Sequence, residues 1–163
     1  MTPKKERISP TAFATTQLCL LQAEQSAEIA ETTLLLSETP PTILARAGLA
    51  IVNLCLASQR TGLGGKTVVE LGHDPAISST GRLPEHGIRT GDIVRVSEQP
   101  SGGVKKKERA DMKAKGVEGV VTRVGEMAVW VAIGKGSGPE EDAEIPGGKL
   151  WLYVQAEYLR FVS

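Results

Sequence analysis

The pattern of hydrophobic and polar positions divides the chain into a helical front and a β-rich remainder. From about Phe13 to Leu36 there is no Gly or Pro, and good helix formers dominate. Small and apolar residues recur there every seven positions, and a second set follows three positions after the first three of them. These residues are Phe13, Leu20, Ala27 and Leu34, interleaved with Thr16, Ala23 and Ala30. The pattern predicts one long helix with an apolar seam, ended by Pro40 and Pro41, and then a short helix from about Thr42 to Ala47.

The seam is compatible with three arrangements. It packs against the body of this protein, it forms half of an antiparallel helical stalk, or it pairs with another molecule of the same chain. Its small residues permit the close approach of a second helix, as in a stalk, and packing against the body of the protein is the simplest of the three. The rest of the helix is polar and acidic, with four Glu and no base between Phe13 and Glu38.

After Gly48 the apolar period changes from that of a helix to that of a strand. Strands are predicted at 50–58, 66–71, 117–124, 127–133 and 150–154, and a turn followed by a strand at 91–96, with long loops at 73–87, 100–115 and 134–148. Five or six short strands and a single long helix predict a mainly β fold with an N-terminal long helix. The expected architecture is a small antiparallel β-barrel, OB-like or SH3-like, on a helical stalk. The expected divisions are a flexible tail (1–10), stalk helix and short helix (11–47), barrel (48–154) and a divergent C-terminal end (155–163).

Composition narrows the class of protein. The chain has 163 residues with 19 bases and 19 acids, so a globally basic nucleic-acid-coating protein is excluded. Hydrophobic residues make up 40%, enough for a folded core. No apolar run approaches the ~20 residues of a membrane span, so no membrane partner is expected. Cys19 and Cys55 have no partner spacing, which argues against a disulfide framework or zinc site and favours a nuclear or cytoplasmic location.

The zero net charge conceals segregated charge. The segment Val104 to Lys115 holds six bases and two acids, whereas Glu140 to Glu144 holds four acids and no base. Basic stretches attract nucleic-acid phosphates. The candidate nucleic-acid contacts are Arg60, Lys66, Lys105, Lys106, Lys107, Arg109, Lys113 and Lys115. Candidate stacking side chains are few: Trp130, Trp151 and Tyr153.

The tetrapeptide Gly64-Gly65-Lys66-Thr67 superficially matches the end of a phosphate-binding P-loop. That motif needs a Gly five positions before Gly65, where this chain has Arg60. A helix must follow the Lys, whereas the pattern here predicts a strand. A Gly-rich hairpin turn is therefore the preferred interpretation. No cofactor, metal or catalytic residue is predicted in this chain.

Four short runs carry a family resemblance in the same order along the chain. They are Ala57 to Lys66, Gly87 to Val94, Gly119 to Val124 and Ala128 to Ala132. The chain resembles the N-terminal 1B domain of the immunoglobulin-mu-binding-protein-type (fungal DNA-polymerase-alpha-associated) helicases of superfamily 1B. The similarity extends over about Thr11 to Leu152. After Leu152 the sequence departs from the family pattern, and we expect a chain truncated before the motor domains.

The resemblance implies a barrel on a two-helix stalk above the first motor domain of an ATP-dependent 5′–3′ DNA or RNA helicase. ATP and Mg²⁺ are then expected only in the missing motor domains, which are partners of this chain, and no catalysis is expected from the chain alone. Its own role would be weak binding of single-stranded DNA or RNA. The alternative is a protein–protein interaction module with no nucleic-acid role.

Overall fold

The computed structural model describes residues 9–134 and 144–155. The helices are α1 (Pro10–Glu38), α2 (Pro41–Arg46) and α3 (Lys106–Ala114). The strands are β1 (Ala50–Thr61), β2 (Thr67–His73), β3 (Ile93–Glu98), β4 (Val117–Val124), β5 (Ala128–Ile133) and β6 (Leu150–Val154). The long N-terminal helix and the succession of short strands are confirmed. The predicted acidic segment Glu140 to Glu144 lies almost wholly outside the described residues, as does the end of the chain after Gln155.

The strands close into an antiparallel barrel in the order β1-β2-β5-β4-β3-β6. Every neighbouring pair is antiparallel, so the predicted small antiparallel barrel is confirmed. In a closed ring of six strands, β5 stands opposite β6, and β2 stands opposite β3. Side chains on the outside of β5 and on the outside of β6 therefore face opposite directions. This arrangement puts the two tryptophans, Trp130 on β5 and Trp151 on β6, on opposite sides of the barrel.

The barrel interior holds the main core. Alternate residues of each strand point inward, as the period-2 pattern predicts, and Val69, Leu71, Val129 and Val131 are each fully buried. A second, smaller core lies outside the barrel wall. It consists of Leu36, Leu44, Ala50, Trp151 and Tyr153. This outer cluster joins the C-terminal end of α1 and the helix α2 to the outside of β1 and β6.

The apolar seam of α1 is exposed. Phe13 is 55% exposed and Leu20 is 58% exposed, whereas Leu36 near the end of the helix is buried. The interpretation that the seam packs along the body of this protein is therefore wrong for the described residues. The stalk partner and self-association stay predictions. Among the described helices, none combines the length and the apolar character that crossing a membrane requires.

The segment from Pro100 to Lys115 is not the flexible loop that its composition predicted, because most of it forms α3. Glu108 supports the start of this helix: its carboxylate accepts a hydrogen bond of 3.3 Å from the Lys105 N–H and lies near the positive end of the helix dipole. Gly102 and Gly103 lie before the helix rather than within it. The sequence offered no apolar stripe, because the face that packs is made of long basic side chains.

Candidate nucleic-acid interface

The structure places the eight predicted contact residues on two different parts of the barrel. Arg60 and Lys66 belong to the β1–β2 hairpin. The six bases from Lys105 to Lys115 lie on or beside α3, which packs against β3 and reaches the outside of β6. The two groups therefore occupy different elements of the fold.

Two bases of α3, Arg109 and Lys113, are covered by the body of the protein, and a third, Lys106, stays exposed while it reaches the end of α1. Lys106, Arg109 and Lys113 are spaced by three and four residues and so share one face of the helix. The Lys106 ammonium forms an ion pair with the carboxylate of Glu38, at the end of α1. Arg109 is half-buried, and Lys113 is buried with 8% of its surface exposed. This face explains why a sequence so polar forms a packed helix: the aliphatic stems of the side chains provide the contact area.

The position of Lys113 differs most from the predicted solvated loop, because this side chain is buried. Its ammonium donates a hydrogen bond to the Leu36 carbonyl. It also lies 5.3 Å from the centre of the Trp151 ring and 5.7 Å from that of Tyr153. These two rings stack on each other with centroids 4.4 Å apart. Burial, aided by the nearby Arg109 charge, lowers the pKa of Lys113 to about 8.

The contact of Lys113 with Leu36 serves the end of α1. The last carbonyls of a helix lack partners within it and carry partial negative charge. The last turn of α1 contains no base of its own. Lys113 of α3 supplies a cation from outside the helix by donating to the Leu36 carbonyl, whereas Lys106 forms an exposed ion pair with the Glu38 carboxylate. Lys113 therefore fastens the end of α1 to the barrel, and the exposed pair of Lys106 and Glu38 adds little, so part of the basic segment is structural.

The other bases of this segment remain exposed. Lys105 precedes the helix, Lys107 lies on its outer side and Lys115 follows it. The structure shows no carboxylate partner for these three side chains among residues 9–134 and 144–155. They are the positions of the basic segment from which an external phosphate is accessible.

A cleft of about 770 Å³ lies beside α3. Its walls include Pro40, Pro41 and Pro100, and two cations, Arg109 and Lys149, line it. The Nε atom of Arg109 is buried without a hydrogen-bond partner among the described residues. The cleft therefore provides positive charge from two cations. Lys149 was not singled out from the sequence, where it stands as an isolated base after Gly147 and Gly148 with no pattern to mark it.

The β1–β2 hairpin presents Arg60 and Lys66 to solvent. Arg60 stands opposite Val68 in the ladder, and Lys66 follows a short 3-10 turn at Leu63–Gly65. Gly64 and Gly65 both have positive φ, at +77° and +72°, which a residue with a side chain rarely adopts. A strand follows Lys66, as predicted, where a P-loop has a helix. The Gly-rich turn is confirmed, and the absence of nucleotide binding stays a prediction.

The predicted stacking side chains separate into buried and open ones. Trp151 and Tyr153 belong to the outer cluster beneath Lys113 and are buried, with Trp151 at 0% exposure. Trp130 on β5 is half-buried, and the guanidinium of Arg123 lies 4.7 Å from the centre of its ring. Sequence reasoning missed Arg123. The available signal was its place on the predicted hairpin, because Arg123 on β4 pairs with Trp130 on β5.

Residues 9–134 and 144–155 contain no group of three or more His, Cys, Asp or Glu side chains placed to hold a metal ion. The assembled features are instead exposed cations, a cation-lined cleft and one half-open aromatic. Groups of this kind bind the phosphates and the nucleobases of nucleic acids.

Comparison with known proteins identifies the family. A family model described as "Helicase SMUBP-2/HCS1, 1B domain" matches residues 14–144. The chain is also 35% identical over 121 residues to a protein of Schizosaccharomyces pombe (strain 972 / ATCC 24843) named DNA polymerase alpha-associated DNA helicase A. This alignment covers 74% of the chain and 18% of the relative, so the chain spans less than a fifth of that protein. The resemblance found in the short motifs is confirmed, and the chain belongs to the 1B-domain family of SMUBP-2/HCS1-type helicases.

Proposed function

We propose that this chain is a nucleic-acid-binding accessory domain of an ATP-dependent 5′–3′ DNA or RNA helicase. It binds the phosphates of a single strand in the nucleus or cytoplasm and performs no catalysis itself. ATP and Mg²⁺ belong to motor domains that act with it. The observation that carries the proposal is the set of exposed bases at α3, Lys105, Lys107 and Lys115, beside the cleft lined by Arg109 and Lys149.

Electrostatics sets the expected strength of this binding. Each phosphate neutralised on a single strand changes the slope of log affinity against log salt by about −0.7. Three to five contacts from α3 and the cleft therefore give a slope of about −2 to −3.5. Such binding is weak at physiological salt and has little sequence preference, because phosphates carry no base information. A motor domain that holds the same strand would supply the remaining affinity.

The test is fluorescence anisotropy of labelled oligonucleotides with the full chain between 50 and 200 mM salt. The double variant Lys105→Gln/Lys107→Gln should weaken binding about equally for all sequences and flatten the salt slope. The matched control, Arg46→Gln/Arg89→Gln, removes the same charge from exposed positions on α2 and the β2–β3 connection. It should change affinity much less. Parallel titrations with oligothymidylate and oligouridylate measure the preference between DNA and RNA.

The alternative function is a protein-interaction module. It would be favoured if the chain showed no salt-dependent affinity for any strand, or if both double variants had the same small effect. In that case the exposed bases of α3 would only keep the surface soluble, and the exposed face of α1 would become the main candidate for a partner.

A further inference from the structure

Trp130 and Arg123 form a pair on the β4–β5 hairpin, on the side of the barrel away from α3. The Arg123 guanidinium is exposed and lies 4.7 Å from the centre of the indole ring. The ring extends across the hairpin turn, since a Cβ built on Gly125 would come within 3.2 Å of it. Trp130 stays half-buried because only part of the ring is covered. The pair therefore presents both an aromatic surface and a planar cation to solvent.

The strand register places this pair on a wider outer face. Trp130 stands opposite Arg123 on β4 and opposite Glu70 on β2. The neighbouring row of the same face consists of Val120, Ala132, Val68 and Arg60. Paired residues and residues two positions apart along a strand share a face. The face thus combines three small apolar side chains in one row with Trp130 and Glu70 in the other, and each row ends or begins with an arginine.

The charges on this face leave the arginines available to an external anion. The Glu70 carboxylate accepts a hydrogen bond of 2.8 Å from the Ser58 hydroxyl on the neighbouring strand. Among the described residues, no carboxylate forms an ion pair with Arg60 or Arg123. Arg60 lies two strands and one row away from Trp130, a Cα separation of about 12 Å from ordinary sheet spacings. A strand of nucleic acid that stacks at Trp130 passes within reach of Arg60.

We propose that the outer face of β1, β2, β5 and β4, centred on Trp130 and Arg123, is a stacking platform for unpaired bases of a single strand. This inference rests on the proposed function and adds a site to it. The indole and the guanidinium stack on a base, and Arg60 contacts a neighbouring phosphate. Aromatic side chains on open sheet faces bind unpaired bases in this way, with little sequence preference, and arginine planes add to the stack.

The experiment follows the two tryptophans separately. The chain contains two, Trp130 and Trp151, so protein made with 5-fluorotryptophan gives two ¹⁹F resonances, which a Trp130→Leu variant assigns. Oligothymidylate should shift the Trp130 resonance and leave that of buried Trp151 in place. An abasic strand of the same length, with phosphates but no bases, should bind more weakly and leave both resonances unmoved.

Affinities provide the second readout. Trp130→Leu should weaken binding of oligothymidylate about tenfold and that of the abasic strand hardly at all. Lys107→Gln, the matched control on α3, should weaken both strands equally. An unchanged Trp151 resonance in the Trp130→Leu protein shows that the variant is folded.

The outcomes distinguish this inference from the proposed function. If oligothymidylate binds but the Trp130 resonance stays in place and Trp130→Leu binds equally well, the platform is wrong and the proposed function stands. If no strand binds at all, both are wrong. If the Trp130 resonance responds to a helicase motor domain and not to the strand, the face is a protein contact and the platform is again overturned.

Discussion

The two tryptophans of the barrel share a sequence pattern and differ in their surroundings. Each stands on the outside of a strand between two buried residues, as Val129-Trp130-Val131 and Leu150-Trp151-Leu152. Each also has a cation near its ring, Arg123 in one case and Lys113 in the other. Trp151 is fully buried, whereas Trp130 is half-buried. The same local motif therefore serves as an anchor on one wall and an open surface on the opposite one.

The difference comes from what covers each strand. The outside of β6 receives α3, α2 and the end of α1, and their side chains complete the outer cluster around Trp151. Along β5 the outer neighbours of Trp130 are residues of β2 and β4, and Arg123 is the group over its ring. A cation over an aromatic ring is thus not by itself a sign of function. Burial decides whether the pair stabilises the fold or remains accessible to a ligand.

Truncation of each tryptophan should give the largest difference in stability between the β5 side and the β6 side of the barrel. Trp151→Ala removes a fully buried aromatic and should lower the free energy of unfolding by about 3–5 kcal/mol. Trp130→Ala removes a less deeply buried one and should cost about 2 kcal/mol. Urea unfolding of both variants measures the difference. Equal losses would mean that the β5 wall is covered as fully as the β6 wall.

Removal of Lys113 should loosen the base of α1. Lys113→Ala leaves the Leu36 carbonyl without its donor and deletes the aliphatic stem against Trp151, at a cost of about 1–3 kcal/mol. Amide exchange near the end of α1 should accelerate in this variant. Lys107→Ala, on the exposed side of the same helix, should stay within about 0.5 kcal/mol of the wild type. A similar loss from both variants would show that Lys113 is not a specific anchor.

Part of the Lys113 contribution should depend on pH. The pKa of this ammonium is lowered to about 8 in the folded chain from 10.5. Between these values the unfolded chain binds more protons, so stability should rise with pH and the cost of burying the charge should fade. Burial raises the pKa of Tyr153 to about 12 from 10.0, which opposes this trend above pH 10. Unfolding of the wild type and of Lys113→Met between pH 7.5 and 9.5 should therefore diverge in favour of the wild type. Parallel curves would contradict the burial of the charge.

The smallest effect is expected on the open wall. Arg123→Gln removes the cation over Trp130 and should cost about 0.5–1 kcal/mol, the usual range for an exposed cation–π contact. Thermal unfolding detects such a change as a shift of a few degrees. A loss as large as that of Lys113→Ala would indicate that Arg123 is a structural anchor too.

The elements that were predicted correctly have signals confined to short windows. The seven-residue recurrence in α1 and the alternation in β4 and β5 can each be read without knowledge of the rest of the chain. Helix α3 has no such signal, because the side chains it packs with include Arg109 and Lys113, which in the sequence belong to a polar, basic run. Composition alone therefore placed Lys113 in solvent. The cleft beside α3 was also unpredictable, since Arg109 and Lys149 are 40 positions apart and meet only when the barrel closes.

The sequence by itself determined which residues form helices and strands and which side of each strand faces the core. It also determined the family, through short motifs that keep their order. Only the tertiary structure decided which outward-facing tryptophan is covered and which basic side chains remain exposed. The physical reason is that burial depends on groups distant in the chain: Leu36, Leu44 and Lys113 converge on Trp151. Trp130, in an almost identical local sequence, keeps a partly open ring.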